Sequence, residues 1–174
     1  MSVTCDFPAA LTNFDGAAYM GTWFQAAHVF GEPYAPDGLT CTQAEYSELQ
    51  ADGTFIVENT SQEAGFGARG GVIGTGYCPD ATGQCFVAFY GPLPDETNYQ
   101  VIATDYDNYS LVYTCDTEQD FVFLYYLSRT PVPSEEFFLN MVALTVELLP
   151  NFDFDTLVSE SQGDQCTYQP VFQL

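Results

Sequence analysis

The chain has 174 residues, long enough for one closed hydrophobic core and too short for two domains of ordinary size. Hydrophobic residues make up 47% of it and charged residues 15%, a composition that excludes an intrinsically disordered protein. The chain has 24 acidic side chains and only two basic ones, which gives a net charge of −22. This charge excludes nucleic acid as a partner and disfavours binding to anionic membrane surfaces.

The acidic residues predict a solvated surface that repels its own copies. The alternative is a calcium site built from Asp153 and Asp155, or from Asp105 and Asp107, although the sequence has no twelve-residue calcium loop with its closing glutamate. No apolar run approaches the length that crosses a bilayer, so we expect no membrane insertion.

Residues 1–20 are predicted to be irregular. From Gly21 onward, short runs typical of strands recur about every ten to twelve residues, separated by turn residues. In the third run, alternation points Phe55, Val57 and Asn59 to one face. Consecutive antiparallel strands joined by tight turns predict an all-β, eight-stranded up-and-down barrel over about 21–128. The strands are expected at 21–30, 40–49, 54–60, 66–77, 85–90, 99–105, 109–115 and 121–128.

One helix is predicted after the barrel, over about 134–148, within a single domain of 1–174. Ser134 can cap it, Glu135 and Glu136 in the first turn suit the helix dipole, and Pro150 ends it. A short final strand is predicted over about 166–172. The helical spacing of apolar residues predicts a face that packs on the barrel, formed by Phe138, Met141, Val142, Thr145 and Leu149.

The cysteines indicate an oxidising, extracellular compartment, because an even number in a small acidic chain is typical of disulfides. Spacing alone leaves the pairing open, but Cys78 and Cys85 flank a turn and could bridge a hairpin. Asn59 and Asn108 match the N-glycosylation pattern, consistent with a secreted protein. The six cysteines are Cys5, Cys41, Cys78, Cys85, Cys115 and Cys166.

Three short motifs occur in order along the chain. The first comprises residues 13–16 (NFDG) and 21–23 (GTW), the second 104–106 (TDY) and 109–111 (YSL), and the third 126–129 (YLSR). Followed by one helix and one strand, they resemble the three signatures of the lipocalin family over nearly the whole chain. Within the family, the chain is most similar to the apolipoprotein D and crustacyanin-like branch.

The resemblance implies a lipocalin calyx with the helix packed outside the barrel. It places the Arg129 guanidinium across the Trp23 ring at the closed end, where such a stack contributes about 1–2 kcal/mol when shielded from water. Trp23 and Arg129 are therefore expected to have a structural role. By position in the family, the resemblance implies the disulfides Cys5–Cys115 and Cys41–Cys166, which leaves Cys78–Cys85.

The lumen is the expected binding site, because an eight-stranded barrel encloses just enough space for one small ligand. The long first loop, residues 31–38, is expected to cover the mouth. Alternation anchored by the resemblance predicts that the ligand contacts are Gln25, Ala27, His28, Tyr34, Ala44, Tyr46, Phe55, Val57, Val72, Val87, Phe89, Tyr99, Val112, Phe123 and Tyr125.

The scarcity of cations predicts an uncharged ligand. Buried carboxylates need a cation or compensating hydrogen bonds, and with Arg129 at the barrel floor only Arg69 and His28 remain. The crustacyanin-like resemblance implies a non-covalently bound chromophore of the astaxanthin-like carotenoid type, and His28 near the mouth could donate a hydrogen bond to it. The alternatives are biliverdin and a general role as a carrier of sterols, retinoids or other lipids.

Catalysis is not expected. A few lipocalins act as enzymes, some with a free lumen thiol, but three disulfides would leave no thiol here, and one histidine offers little acid–base chemistry. A carotenoid is longer than one calyx, so a homodimer or heterodimer in which the ligand projects into a paired subunit is the remaining alternative.

Overall fold

The computed structural model describes residues 2–33, 38–63 and 69–168. A short helix α1 (Gly16–Tyr19), within the stretch predicted to be irregular, precedes the barrel. The ends of the eight barrel strands lie within three residues of the predicted ends, wherever the structure describes the residues concerned. They are β1 (Gly21–Val29), β2 (Leu39–Ser47), β3 (Thr54–Glu63), β4 (Arg69–Tyr77), β5 (Gln84–Ala88), β6 (Tyr99–Thr104), β7 (Tyr109–Asp116) and β8 (Phe121–Ser128).

Every barrel strand pairs antiparallel with its neighbours in sequence, and β1 closes the barrel. One end of β1 pairs with β2, where Gly21 lies opposite Tyr46, and its other end pairs with β8, where Phe24 lies opposite Ser128. The closed eight-stranded barrel therefore confirms the predicted fold class.

The predicted helix is confirmed as α2 (Glu135–Leu148). The Ser134 side chain accepts a hydrogen bond from the Phe137 amide (3.3 Å) at its start, and the chain leaves the helix at Leu149, just before Pro150. Met141 and Thr145 are fully buried against the barrel, where Thr145 bonds the Tyr126 hydroxyl. Val142 is a correction to the predicted face, because it is 40% exposed on the outer side.

The short strand after the helix lies earlier than predicted. It is β9 (Leu157–Ser159), which follows a 3-10 turn (Phe154–Thr156) and pairs with β1 opposite Ala27–Val29. Residues 166–168 form no strand, and 169–172 lie outside the described residues. The segment at 166–168 is held to the barrel by the disulfide at Cys166 and by hydrogen bonds to side chains such as Gln62, so it makes no strand ladder.

Three disulfides bind the loops and termini to the barrel. Their Cα–Cα distances are 5.7 Å for Cys5–Cys115, 5.5 Å for Cys41–Cys166 and 4.3 Å for Cys78–Cys85, and no cysteine is free. The pairing is the one implied by the family resemblance.

Two hydrophobic clusters lie on opposite sides of the barrel wall. The outer one, which includes Leu124, Tyr126 and Met141, joins the wall to α2. The inner one fills the barrel and its closed end around Trp23. The inner cluster therefore defines the lumen.

Candidate functional site

The floor of the lumen is the stack of Arg129 on Trp23. Trp23 is fully buried, and the Arg129 Cζ lies 3.7 Å from the centroid of its ring. The guanidinium donates hydrogen bonds to the carbonyl oxygens of Thr22 (2.9 Å), Met20 (2.9 Å) and Tyr106 (2.8 Å). Because its donors are used by backbone carbonyls, the Arg129 guanidinium is held at the closed end of the barrel.

Three tyrosine hydroxyls meet above this floor. The Tyr99 hydroxyl hydrogen-bonds those of Tyr19 (2.9 Å) and Tyr46 (2.8 Å), and Tyr19 also bonds the Ser110 hydroxyl (2.8 Å). The rings of Tyr19 and Tyr46 stack with centroids 5.7 Å apart. This tyrosine cluster, formed by Tyr19, Tyr46 and Tyr99, fills the deep part of the lumen with rings whose polar ends are satisfied.

Burial of the tyrosine cluster predicts loss of stability at alkaline pH. Burial raises the pKa of Tyr19 to about 12, and it also raises the pKa values of Tyr46 and Tyr99. Unfolded tyrosines ionise at about pH 10, so the stability conferred by neutral phenols is complete below that pH and is lost as the pH rises through the folded pKa values.

In a titration followed by phenolate absorbance, the tyrosine cluster should therefore ionise only when the circular dichroism of the barrel is lost. If all tyrosines titrated as one class while the fold stayed intact, the phenols would not be buried as described.

A cavity of about 60 Å³ remains between the tyrosine cluster, the floor and the barrel wall. This volume has room for only a few water molecules, so a larger ligand must displace lining side chains. Five predicted ligand contacts line it: Gln25, Ala44, Tyr46, Tyr99 and Tyr125. Five lining residues were not predicted as contacts: Trp23, Thr42, Gln43, Asn59 and Leu127.

Eight of the other ten predicted contacts, all except Ala27 and His28, fall into three groups. Two residues point inward but lie outside the lining of the cavity. They are Val72 on β4, which lies opposite Asn59 of β3, and Phe123 on β8, two residues before Tyr125. Tyr34 lies outside the described residues. The remaining group packs in the inner cluster around the cavity and comprises Phe55, Val57, Val87, Phe89 and Val112.

Ala27 is a correction, because it does not face the lumen. A β-bulge between Gln25 and Ala27 shifts the register of β1 against β8, so His28, instead of Ala27, lies opposite Tyr125. Ala27 packs under α2 in the outer cluster. Strict alternation from Trp23 cannot predict a bulge, which inserts one residue and reverses the faces that follow.

The upper wall of the cavity carries the amide side chain of Asn59, whose Oδ1 is buried without a hydrogen-bond partner in the described part of the chain. Oε1 of Gln43 is buried without one too, but Gln43 lies opposite Phe24 and Thr60, on the outer face of the barrel. Glycosylation of Asn59 is therefore a wrong prediction for this barrel, because a glycan there would have to occupy the lumen. Asn108 is exposed in the turn between β6 and β7, and its glycosylation stays a prediction.

A buried carboxylate, Glu160, lies beside the mouth of the lumen just after β9. Its Oε1 accepts hydrogen bonds from the Thr42 hydroxyl (2.6 Å) and amide (3.2 Å), and its Oε2 accepts one from Gln25 (3.4 Å). His28 Nδ1 is 3.2 Å from the same Oε2, an ion-pair distance without hydrogen-bond alignment. His28 therefore faces a protein carboxylate at the position where a ligand contact was predicted.

A second carboxylate, Glu32, reaches the same mouth from the first loop. It accepts a hydrogen bond from the Tyr125 hydroxyl. Burial raises the pKa of Glu32, while the bond from Tyr125 and the nearby His28 lower it. The mouth thus carries two acidic groups, and sequence reasoning missed both because neither belongs to the strand pattern.

Arg69, the other arginine of the chain, does not neutralise the carboxylates of Glu32 and Glu160. It donates hydrogen bonds to the Thr60 hydroxyl (2.7 Å) and the Cys41 carbonyl (3.0 Å), and it lies 5.4 Å from the centre of the Tyr168 ring. Side chains along β4 point alternately inward and outward. Because Val72 points inward, Arg69, three residues earlier, points outward. The lumen lining therefore contains no arginine or lysine.

Two of the four aspartates considered for calcium act as turn caps. Asp105 accepts from the backbone amides of Asn108 and Tyr109, and Asp153 accepts from that of Asp155. Within residues 2–33, 38–63 and 69–168, no group of three or more potential metal ligands comes together. None of the helices in these ranges combines the length and the apolarity required to cross a bilayer.

Residues 14–162 match the family model of the lipocalin-like domain. Apolipoprotein D of Bos taurus is 33% identical over 115 residues, which cover 65% of this chain and 58% of that protein. The chain spans between 54% and 58% of the length of the first curated relatives that it matches.

Two solved structures share the fold at low sequence identity. Insecticyanin of the tobacco hornworm Manduca sexta superposes with a TM-score of 0.78 over 97% of this chain and 92% of its own, at 22% identity. Lobster apocrustacyanin A1 superposes with a TM-score of 0.65 over 94% of this chain and 96% of its own, at 20% identity.

Proposed function

The chain belongs to the lipocalin family, and on that premise we propose that it carries an uncharged hydrophobic ligand in its lumen, a keto- or hydroxy-carotenoid of the astaxanthin type. The observation that carries the proposal is the charge of the site. The lumen is lined by aromatic, aliphatic and amide side chains, its mouth holds Glu32 and Glu160, and both arginines of the chain are bound elsewhere.

The two carboxylates argue against an anionic ligand such as biliverdin. A propionate entering the mouth would approach Glu32 and Glu160, and desolvating it without a cation costs several kcal/mol. Since His28 is next to Glu160, it supports an anion less than an isolated histidine would. An uncharged ligand avoids this repulsion.

The amide of Asn59 supports a ligand with a polar oxygen at its end. Its buried Oδ1 lacks a partner and can accept from a ligand hydroxyl, while its nitrogen can donate to a keto group. Each such bond contributes about 1 kcal/mol. The aromatic residues of the lumen suit the stacking of a polyene.

The size of the cavity favours a second candidate, a shorter neutral lipid of the retinoid class. At about 60 Å³ the lumen admits a long polyene only if rings such as Tyr46, Tyr99 and Tyr125 rotate aside. A retinoid requires a smaller rearrangement. A carotenoid would also project from the mouth, which suits a homodimer or heterodimer that covers the projecting end.

We propose no catalytic role and an extracellular location. All six cysteines form disulfides, so no thiol nucleophile is present, and the single histidine lies beside a carboxylate. Three disulfides suit an oxidising compartment.

Titration of three ligands into stripped protein tests the charge argument. Astaxanthin and retinol, both uncharged, are expected to quench Trp23 fluorescence with sub-micromolar Kd, and biliverdin is expected to bind at least about tenfold more weakly. Binding of retinol without astaxanthin would replace the carotenoid by the shorter lipid. Tighter binding of biliverdin would overturn the proposal of an uncharged ligand.

A further inference from the structure

A second cavity, of about 230 Å³, lies at the closed end of the barrel and shares no lining residue with the lumen cavity. We propose that this closed-end cavity is a separate binding site for a small, uncharged, apolar molecule with one or two rings. It is formed by α1, the turn between β2 and β3, and the turn after β4. Its inner wall contains Phe14, Tyr19 and Phe55, and its exposed rim contains Leu49, Gln50 and Ala51.

The chemistry of the lining selects an apolar, uncharged ligand. No lining residue is charged, and the two polar side chains already have hydrogen-bond partners. The Tyr19 hydroxyl bonds the hydroxyls of Tyr99 and Ser110, and the side-chain amide of Gln50 donates to the Glu48 carbonyl (2.7 Å). A charged ligand would lose its hydration without gaining a partner. An apolar one would bury Leu49, which is 40% exposed at the rim.

The volume of the cavity sets the size of the ligand. A fully enclosed apolar cavity of about 150 Å³ binds benzene, and the closed-end cavity is larger but open at its rim. The closed-end cavity therefore takes a molecule somewhat larger than one ring, and it is too small for the long polyene proposed for the lumen.

The walls are held in place without a ligand. The Phe14 backbone amide donates to the Ala81 carbonyl (2.8 Å), and the Gln50 backbone amide donates to the Thr54 carbonyl (2.8 Å). The Cys78–Cys85 disulfide fixes the third side. Ala81 also keeps a left-handed backbone (φ 49°), a conformation that is unfavourable for alanine and is retained only where the surroundings impose it. A preformed site loses little conformational entropy on binding.

An aromatic partition separates the two cavities. Phe14, Tyr19 and Phe55 form the inner wall of the closed-end cavity, and each is at most 6% exposed. Behind them Tyr46, which lines the lumen, lies 5.7 Å from the ring centroids of both Tyr19 and Phe55. Gly76 lies against Phe55, where a Cβ would come within 2.3 Å of the ring, so the partition has no spare space. The two cavities are therefore not continuous with each other.

The test uses 1-aminonaphthalene, an uncharged two-ring dye whose fluorescence responds to apolar surroundings, in a background where Ala44→Phe fills the lumen. In this background we expect saturable binding of one dye molecule. Adding Leu49→Glu, which places a carboxylate in the closed-end lining, should weaken it at least about tenfold. Adding Leu139→Glu, a matched change on the exposed face of α2, should leave it unchanged.

Two further measurements keep the outcomes distinct. Ala51→Trp, which fills the closed-end cavity without adding charge, should also abolish dye binding while circular dichroism remains native. Absence of saturable binding in the Ala44→Phe background, or equal binding by the Leu49→Glu and Leu139→Glu variants, would overturn the closed-end site. Astaxanthin should bind the Leu49→Glu single variant as it binds wild type, so failure of the lumen proposal is seen separately.

Discussion

Replacing Trp23 by alanine is expected to lower the free energy of unfolding by about 3–5 kcal/mol, as large-to-small changes in a core do. Trp23 is fully buried, its ring packs against Tyr19 with centroids 5.2 Å apart, and Arg129 covers its other side. Removing the indole leaves a cavity at the floor of the barrel and exposes one face of a guanidinium that its carbonyl partners still hold.

Trp23→Phe is the matched control, because it keeps an aromatic ring beneath Arg129 and loses the indole bond to the Tyr19 carbonyl (3.0 Å). A smaller loss, about 1–2 kcal/mol, is expected. Urea unfolding should be followed by circular dichroism, since Trp23 is the only tryptophan. An unchanged midpoint for Trp23→Ala would mean that the ring is not part of a packed floor.

Removing the Cys41–Cys166 disulfide by replacing both cysteines with alanine is expected to cost about 5 kcal/mol, from the loop-closure entropy of a long loop. The sequence separation is 125 residues. The Cys78–Cys85 disulfide closes a separation of only 7 residues, so its removal should cost about 2.5 kcal/mol less.

The two double variants are matched in packing, because Cys41 and Cys85 are both fully buried. Denaturant unfolding of the two variants beside wild type gives the comparison. Equal midpoints for the two variants would show that loop length does not govern how these disulfides stabilise the fold.

The barrel could be predicted from the sequence because its strands depend on local signals. Alternating apolar residues and turn residues mark β1 to β8, and Ser134 with Pro150 bounds α2. These features act over a few residues and need no knowledge of distant partners. The disulfide pairing required the family resemblance, because spacing allows several pairings.

The parts of the site that were missed depend on distant or irregular contacts. The bulge in β1 turned Ala27 outward, and Glu160 meets Gln25 across 135 positions of sequence. The inward position of Asn59, in contrast, could be predicted from local sequence, because it alternates with Phe55 and Val57. The glycosylation motif at Asn59 predicts the opposite orientation. Leu127, two residues after Tyr125, could have been found by continuing the same alternation.

The central claim is that the lumen holds the ligand, and Ala44→Phe tests it most directly. Ala44 lines the lumen cavity, so the added ring occupies the space that a ligand needs. Val146→Phe adds the same ring on α2 at a position that is 58% exposed, and it is the control for the added ring. In titrations with astaxanthin, we expect Ala44→Phe to weaken binding at least about hundredfold and Val146→Phe to bind like wild type. Wild-type affinity in a correctly folded Ala44→Phe variant would contradict binding in the lumen.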